Sequence, residues 1–236
     1  MGKITNGYII VAQGVTKTYS GDGVPVNAVR GIDLKIKSGE FSAIVGPSGS
    51  GKTTFLNIIS GLDTVTEGKV WLNGKLLSVM SGKELSDFRR DNIGFIFQAY
   101  NLIPVLTVEE NIEYVMLLQH VPKKERHKRV LKILKELELL GFENRFPLNL
   151  SGGQQQRVAI ARAMVSEPSI ILADEPTANL DSKTSIELLD MMRGLNKKAG
   201  MTFVFSTHDP MIMQKARRLV ILRDGKIEKD EIKGNN

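Results

Sequence analysis

Four short, mainly apolar runs stand out along the chain: Phe41 to Val45, Ile170 to Ala173, Thr202 to Phe205 and Leu219 to Leu222. Apolarity without alternation predicts parallel strands buried on both faces. Two tight hairpins are predicted. Asn73-Gly74 separates Val70–Leu72 from Lys75–Leu77, and Asp224-Gly225 separates Leu219–Leu222 from Lys226–Glu228. Asn-Gly and Asp-Gly suit such turns because both central residues need positive φ, and both hairpins read as purely structural. Between Gln98 and Ile170 the period changes to helical. Thr107-x-x-Glu110 is a capping box ahead of an amphipathic stretch, and Pro122 stands where a first-turn proline would. Val130, Ile133, Leu134, Leu137 and Leu140 then recur at helical spacing before Gly141, a stripe that reads as core. The expected fold class is α/β, with a helical insertion over 99–165 between the two parts, 1–98 and 166–236, of one sheet-based core.

Composition narrows the classes. With 236 residues, 42% apolar and 25% charged, the chain can bury a substantial core, which excludes wholesale disorder. No apolar run approaches the roughly 18–20 residues of a membrane span. The opening MGKITNGYII lacks the layout of a secretory leader. The lack of cysteine removes disulfides, thiolate metal sites and cysteine nucleophiles, so an intracellular setting is expected. The 32 basic and 26 acidic residues leave a net charge of +6, which suits nucleic acid, an anionic membrane surface or a phosphate substrate. Aromatics at only 6% argue against stacking platforms for single strands.

The first chemistry lies just after Phe41–Val45. Gly46-Pro47-Ser48-Gly49-Ser50-Gly51-Lys52-Thr53-Thr54 is followed by the helical run Phe55–Ile59. This is G-x-x-x-x-G-K-[ST] in the strand–turn–helix setting that gives it meaning. Glycines allow backbone N–H groups to wrap phosphate oxygens, and the helix N-terminus adds its dipole to the same anion. Lys52 is expected to reach the terminal phosphates and Thr53 to ligate Mg²⁺. A nucleoside triphosphate site follows.

Ile170 to Ala173 leads into Asp174 and Glu175. Asp174 suits a Mg²⁺ ligand, direct or through water, and Glu175 suits the group that polarises the attacking water. His208, after the run Thr202–Phe205, is placed to donate to the γ-phosphate and orient that water. Gln98 carries an amide able to touch Mg²⁺ or the water and to withdraw without a charge to desolvate.

Leu150-Ser151-Gly152-Gly153-Gln154 opens a second helix running to Met164. Ser151-x-x-Gln154 is a capping box, but a cap does not account for two first-turn glycines, each costing about 1 kcal/mol relative to alanine. Approach of a phosphate to the backbone would account for them. Since the glycine-rich loop already holds the chain's own triphosphate, the second helix is expected to face the γ-phosphate of a nucleotide bound to another copy, in a head-to-tail pair.

The ordered set GPSGSGKT (46–53), Gln98, LSGGQ (150–154), ILADE (171–175), NLD (179–181) and His208 resembles the ATP-binding cassette ATPases over essentially the whole chain. The resemblance implies a P-loop NTPase fold with a mostly parallel core sheet, an antiparallel β subdomain and a helical subdomain. It implies ATP and Mg²⁺ as ligands, Glu175 as general base, and Gln98 in the loop that meets a membrane partner. Ser151 to Gln154 would complete the opposite site, with Asp181 in the loop crossing the dimer interface. Tyr19 falls at the place of the aromatic that stacks on adenine. The segment 89–112 and ADEPTANLDSKT (173–184) further resemble the subgroup of lipoprotein-release, macrolide-export and cell-division ATPases; ANLD replaces the commoner SALD. The implied partners are a second copy and a separate membrane permease, at the cytoplasmic face of the membrane. The implied work is export, lipid extraction or antimicrobial-peptide handling. Nucleic acid is not an expected partner. The alternative reading is a soluble cassette acting on nucleic acid or ribosomes, although such proteins usually carry two cassettes or a long coiled-coil insertion. A P-loop kinase, a second rival, would not need LSGGQ.

Overall fold

The computed structural model describes residues 7–20 and 24–233; residues 1–6, on which part of the leader reading rests, lie outside them. A four-stranded antiparallel sheet is built from β1 (Tyr8–Tyr19), β2 (Val26–Lys37), β4 (Glu67–Leu72) and β5 (Lys75–Leu76), in the order β2-β1-β4-β5. The second sheet contains β3 (Phe41–Val45), β6 (Ile93–Ile96), β7 (Ile170–Asp174), β8 (Thr202–Thr207), β9 (Arg218–Arg223) and β10 (Lys226–Ile232). Its order is β10-β9-β3-β8-β7-β6, parallel from β9 to β6, with β10 antiparallel at one edge.

The expected buried strands all form, and their residues divide by parity between two cores. Phe41, Ala43, Ile171, Ala173, Phe203 and Phe205 face a cluster shared with the helices α3 (Val108–Leu118), α4 (Lys123–Glu136), α5 (Gly152–Met164) and α6 (Ser182–Ala199). Ile44, Ile170, Leu172 and Val204 face the opposite cluster, where α1 (Lys52–Ile59) is held between the two sheets. A strand covered on both sides has no polar face, so its sequence does not alternate. In the remaining helices, α2 (Gly82–Asn92) starts at a Ser81–Glu84 capping box and α7 (Pro210–Lys215) at Asp209.

Both hairpin turns have the anticipated positive φ, at Asn73, Gly74, Asp224 and Gly225. The middle region is helical as expected, and Thr107 and Glu110 complete their reciprocal cap. Two details differ. Pro122 is the residue before the first turn of α4, one position earlier than anticipated. Leu140 is 52% exposed: α4 ends at Glu136 and Glu138 turns to positive φ, which breaks the helical phase and sends Leu139 inward instead.

Candidate functional site

The phosphate loop runs from the end of β3 into α1. Two of its three glycines, Gly46 and Gly51, are held by close packing. A Cβ on Gly46 would lie 2.2 Å from the Leu222 carbonyl oxygen, and one on Gly51 would lie 2.4 Å from that of Ala28. Gly51 is also left-handed and leaves α1 with no side-chain cap, so the first-turn N–H groups await an acceptor from outside the helix. The Lys52 ammonium donates to the carbonyls of Gly46 and Pro47 at 2.9 and 3.0 Å, which folds the charge over the loop. Among the described residues the buried Ser50 hydroxyl finds no partner. An uncapped helix start, two glycines with no room for a Cβ and an orphaned hydroxyl together fit a bound polyphosphate.

A cavity of about 670 Å³ opens over this loop. Ser48, Gly49, Gly51, Lys52, Thr53, Thr54, Gln98, Glu175 and His208 all line it, which brings together residues from four separated segments. Asp174 ends β7 with its carboxylate 3.2 and 3.3 Å from the Thr53 hydroxyl. Desolvation is the main cause that pushes the Asp174 carboxyl above its ordinary pKa, with the nearby Glu175 adding to it. These are hard oxygen donors of the kind Mg²⁺ takes. Among the described residues no group of three or more His, Cys, Asp or Glu side chains is placed to hold a metal; Mg²⁺ would share its shell with phosphate and water.

Glu175 follows at φ 45, a left-handed conformation uncommon for a residue with a side chain. Its N–H donates to Ser206 at 2.8 Å, and its carboxylate accepts from the Thr207 hydroxyl at 2.8 Å. His208 Nδ1 lies 2.6 Å from the other carboxylate oxygen. With Nδ1–H donating to an ionised Glu175, the neutral ring has only an acceptor at Nε2. The expected donation to a phosphate therefore needs the doubly protonated ring or a turned side chain.

Ser151, Gly152, Gly153, Gln154 and Asp181 lie elsewhere. With Leu180, Thr184 and Arg157 they line a separate pocket of about 430 Å³, and no residue lines both cavities. Ser151 and Gln154 complete their capping box. The Asp181 carboxylate caps α6, accepting from the Thr184 N–H and hydroxyl at 3.0 and 2.6 Å, and these bonds hold it below the usual carboxylate range. The two glycines have a reason within the chain that phosphate approach did not anticipate. A Cβ on Gly153 would lie 2.7 Å from the Thr184 methyl, and one on Gly152 would lie 2.9 Å from the Tyr100 hydroxyl.

Tyr19 ends β1 and does not line the phosphate cavity. It is 44% exposed, donates from its hydroxyl to Asp63 at 2.7 Å, and has the Lys17 ammonium 5.0 Å from its ring centroid. The cavity wall on that side comes from Pro25 to Ala28, Arg30 and the Asp224-Gly225 turn. That turn corrects the reading of the second hairpin as structural only: the Gly225 N–H donates to the Ser50 carbonyl at 3.1 Å, and its carbonyl accepts from Arg30. Nothing in a local turn signature tells which distant loop it will touch.

Comparison with known proteins places the chain in a family. The family profile described as ABC transporter matches residues 29–178. The chain is 46% identical over 227 residues to the uncharacterized ABC transporter ATP-binding protein MJ0796 of Methanocaldococcus jannaschii, covering 94% of this chain and 97% of that one. It is 39% identical to the bacitracin export ATP-binding protein BceA of Halalkalibacterium halodurans, over 96% of this chain and 90% of BceA. It is 42% identical to the macrolide export ATP-binding/permease protein MacB of Marinobacter nauticus, over 94% of this chain and 34% of MacB. The dimeric structure of MJ0796 in a post-hydrolysis state, bound to ADP and Pi, superposes with a TM-score of 0.88 at 44% identity, covering 96% of this chain and all of that one. By sequence, fold and the residues gathered at its phosphate loop, the chain belongs to the ABC transporter family, as an ATP-binding cassette that hydrolyses ATP.

Proposed function

We propose that this chain works as a pair, each copy's ATP enclosed between its own phosphate loop and the Ser151–Gln154 helix start of the other, and that closing and reopening of the pair drives a separate membrane permease. One observation carries the reading: the two anion-facing helix starts line separate cavities with no residue in common. A triphosphate on one loop meets the other helix only if a second copy presents it. That MJ0796 is dimeric in a post-hydrolysis state bound to ADP and Pi supports pairing.

In this reading the N–H groups from Gly46 to Thr53 and the Lys52 ammonium hold the β- and γ-phosphates. Bound Mg²⁺ would neutralise charge developing on the phosphoryl oxygens. Thr53 and Asp174 would hold that ion, with Gln98 beside it. Glu175, fixed from both sides by Thr207 and His208, accepts the proton of the attacking water. Tyr19 offers an aromatic face for adenine. The helical part over 99–165 transmits motion to the permease through Gln98 to Leu106, at the cytoplasmic face of the membrane; among the described residues no helix is long and apolar enough to cross it. BceA and MacB are named for export, which favours export, lipid extraction or antimicrobial-peptide handling as the work done.

Glu175→Gln removes the base and keeps the shape. Light scattering with ATP and Mg²⁺ should show a stable dimer, and phosphate release should fall by about 100-fold or more. A variant that stays monomeric with saturating ATP, or hydrolyses at the wild-type rate, would remove the reading.

A further inference from the structure

Arg162 stands near the end of α5, half-buried and without a carboxylate partner among the described residues. Its guanidinium serves the backbone instead. Nη1 donates to the carbonyl of Asn101 at 2.5 Å and Nη2 to that of Tyr100 at 2.9 Å. Those two residues are consecutive non-glycines at φ 51 and 50, a left-handed pair that side chains disfavour. A planar fork suits two neighbouring carbonyls in a way a point charge does not. Desolvation pushes the guanidinium below its ordinary pKa, so the burial carries a cost that the two bonds must offset.

The turn held by this fork begins two residues after Gln98, which lines the phosphate cavity. The Gln98 carbonyl accepts from the Asn179 side chain at 2.9 Å. The Tyr100 hydroxyl lies against Gly152, in the first turn of α5. Segment 98–101 is thus bonded to the far end of the helix that begins at Ser151 and packs against its start.

We propose that Arg162 is a positioning residue: by clamping the left-handed turn Tyr100-Asn101 to α5, it makes Gln98, at the chain's own nucleotide, and the Ser151 helix start, at the other copy's nucleotide, move as one body. This rests on the paired reading above. Binding of ATP at one loop then sets the angle at which the same chain offers its helix start across the interface. Arg162 touches neither nucleotide, and its effect passes through the turn.

Arg162→Lys keeps the charge and loses the fork. Steady-state ATPase measurements should show kcat reduced about tenfold, the size expected for one lost charge-assisted bond, with KM for ATP changed less than twofold. Adding Asn101→Gly to that variant should leave kcat low, because glycine takes positive φ freely but supplies no link to α5. A role confined to holding the left-handed turn would let Asn101→Gly restore kcat, and a purely structural role in α5 would lower the melting temperature in step with kcat. Either pattern, or wild-type kcat in Arg162→Lys, would overturn the proposal. Failure of the paired reading shows separately, as absent ATP-driven dimerisation in Glu175→Gln with Arg162 intact.

Discussion

The helix starts at Lys52 and Gly152 differ in how they are finished. α1 begins at a left-handed glycine with no side-chain cap, beneath a lysine and a buried unpartnered serine hydroxyl. α5 begins with a complete Ser151–Gln154 box in which each residue satisfies the other's backbone. An open start is incomplete until an anion closes it, whereas a capped start is stable as it stands and can accept an anion brought to it. The first therefore has the form of an anion site within its own chain. The second has the character of a contact surface, with its glycines already packed on Thr184 and Tyr100.

The contrast predicts unequal responses to mutation. Lys52→Ala should weaken ATP binding to a single copy by about 10- to 100-fold, the loss of a charge-assisted interaction, in a nucleotide titration. Ser151→Ala should leave that single-copy affinity within twofold while lowering turnover, and should cost about 1 kcal/mol of stability through the lost cap, measured by denaturant unfolding. Equal loss of affinity in the two variants would erase the distinction between the sites. Gly153→Ala should cut turnover several-fold, and pairing it with Thr184→Ser, which removes the obstructing methyl, should recover most of it. No recovery would mean that the glycine serves the nucleotide and not the packing against α6. The smallest effect is expected at Asp174. Its raised pKa means that the ionised carboxylate is disfavoured in the folded chain, so above that pKa it lowers stability relative to the unfolded chain. Asp174→Asn should melt slightly higher than wild type without Mg²⁺, as followed by circular dichroism at neutral pH.

Some elements were hidden from sequence reading for identifiable reasons. β1 and β2, each 12 residues long, went unread as individual strands. In β1 the pairing with β2 slips between Ala12 and Val15, and such a bulge destroys the two-residue period. In β2 the alternation Ile32, Leu34, Ile36 is intact and buried, a signal that could have been used. α6 was likewise marked at both ends, by the cap at Asp181 and left-handed Gly200.

The sequence alone determined whatever a few consecutive residues can enforce. The phosphate loop follows from its glycines and Lys52, the buried strands from unbroken apolarity, and the helix starts at Thr107 and Ser151 from reciprocal caps three residues apart. These bonds and φ values close within one turn of chain, so no distant residue is needed to read them. Tertiary structure decided which distant segments meet: Asp224-Gly225 against Ser50, Glu175 between Thr207 and His208, and Thr184 and Tyr100 over the α5 glycines. It also decided that the starts of α1 and α5 line separate cavities. Packing across separations of tens of residues sets such meetings, and it leaves no periodic trace in the local sequence.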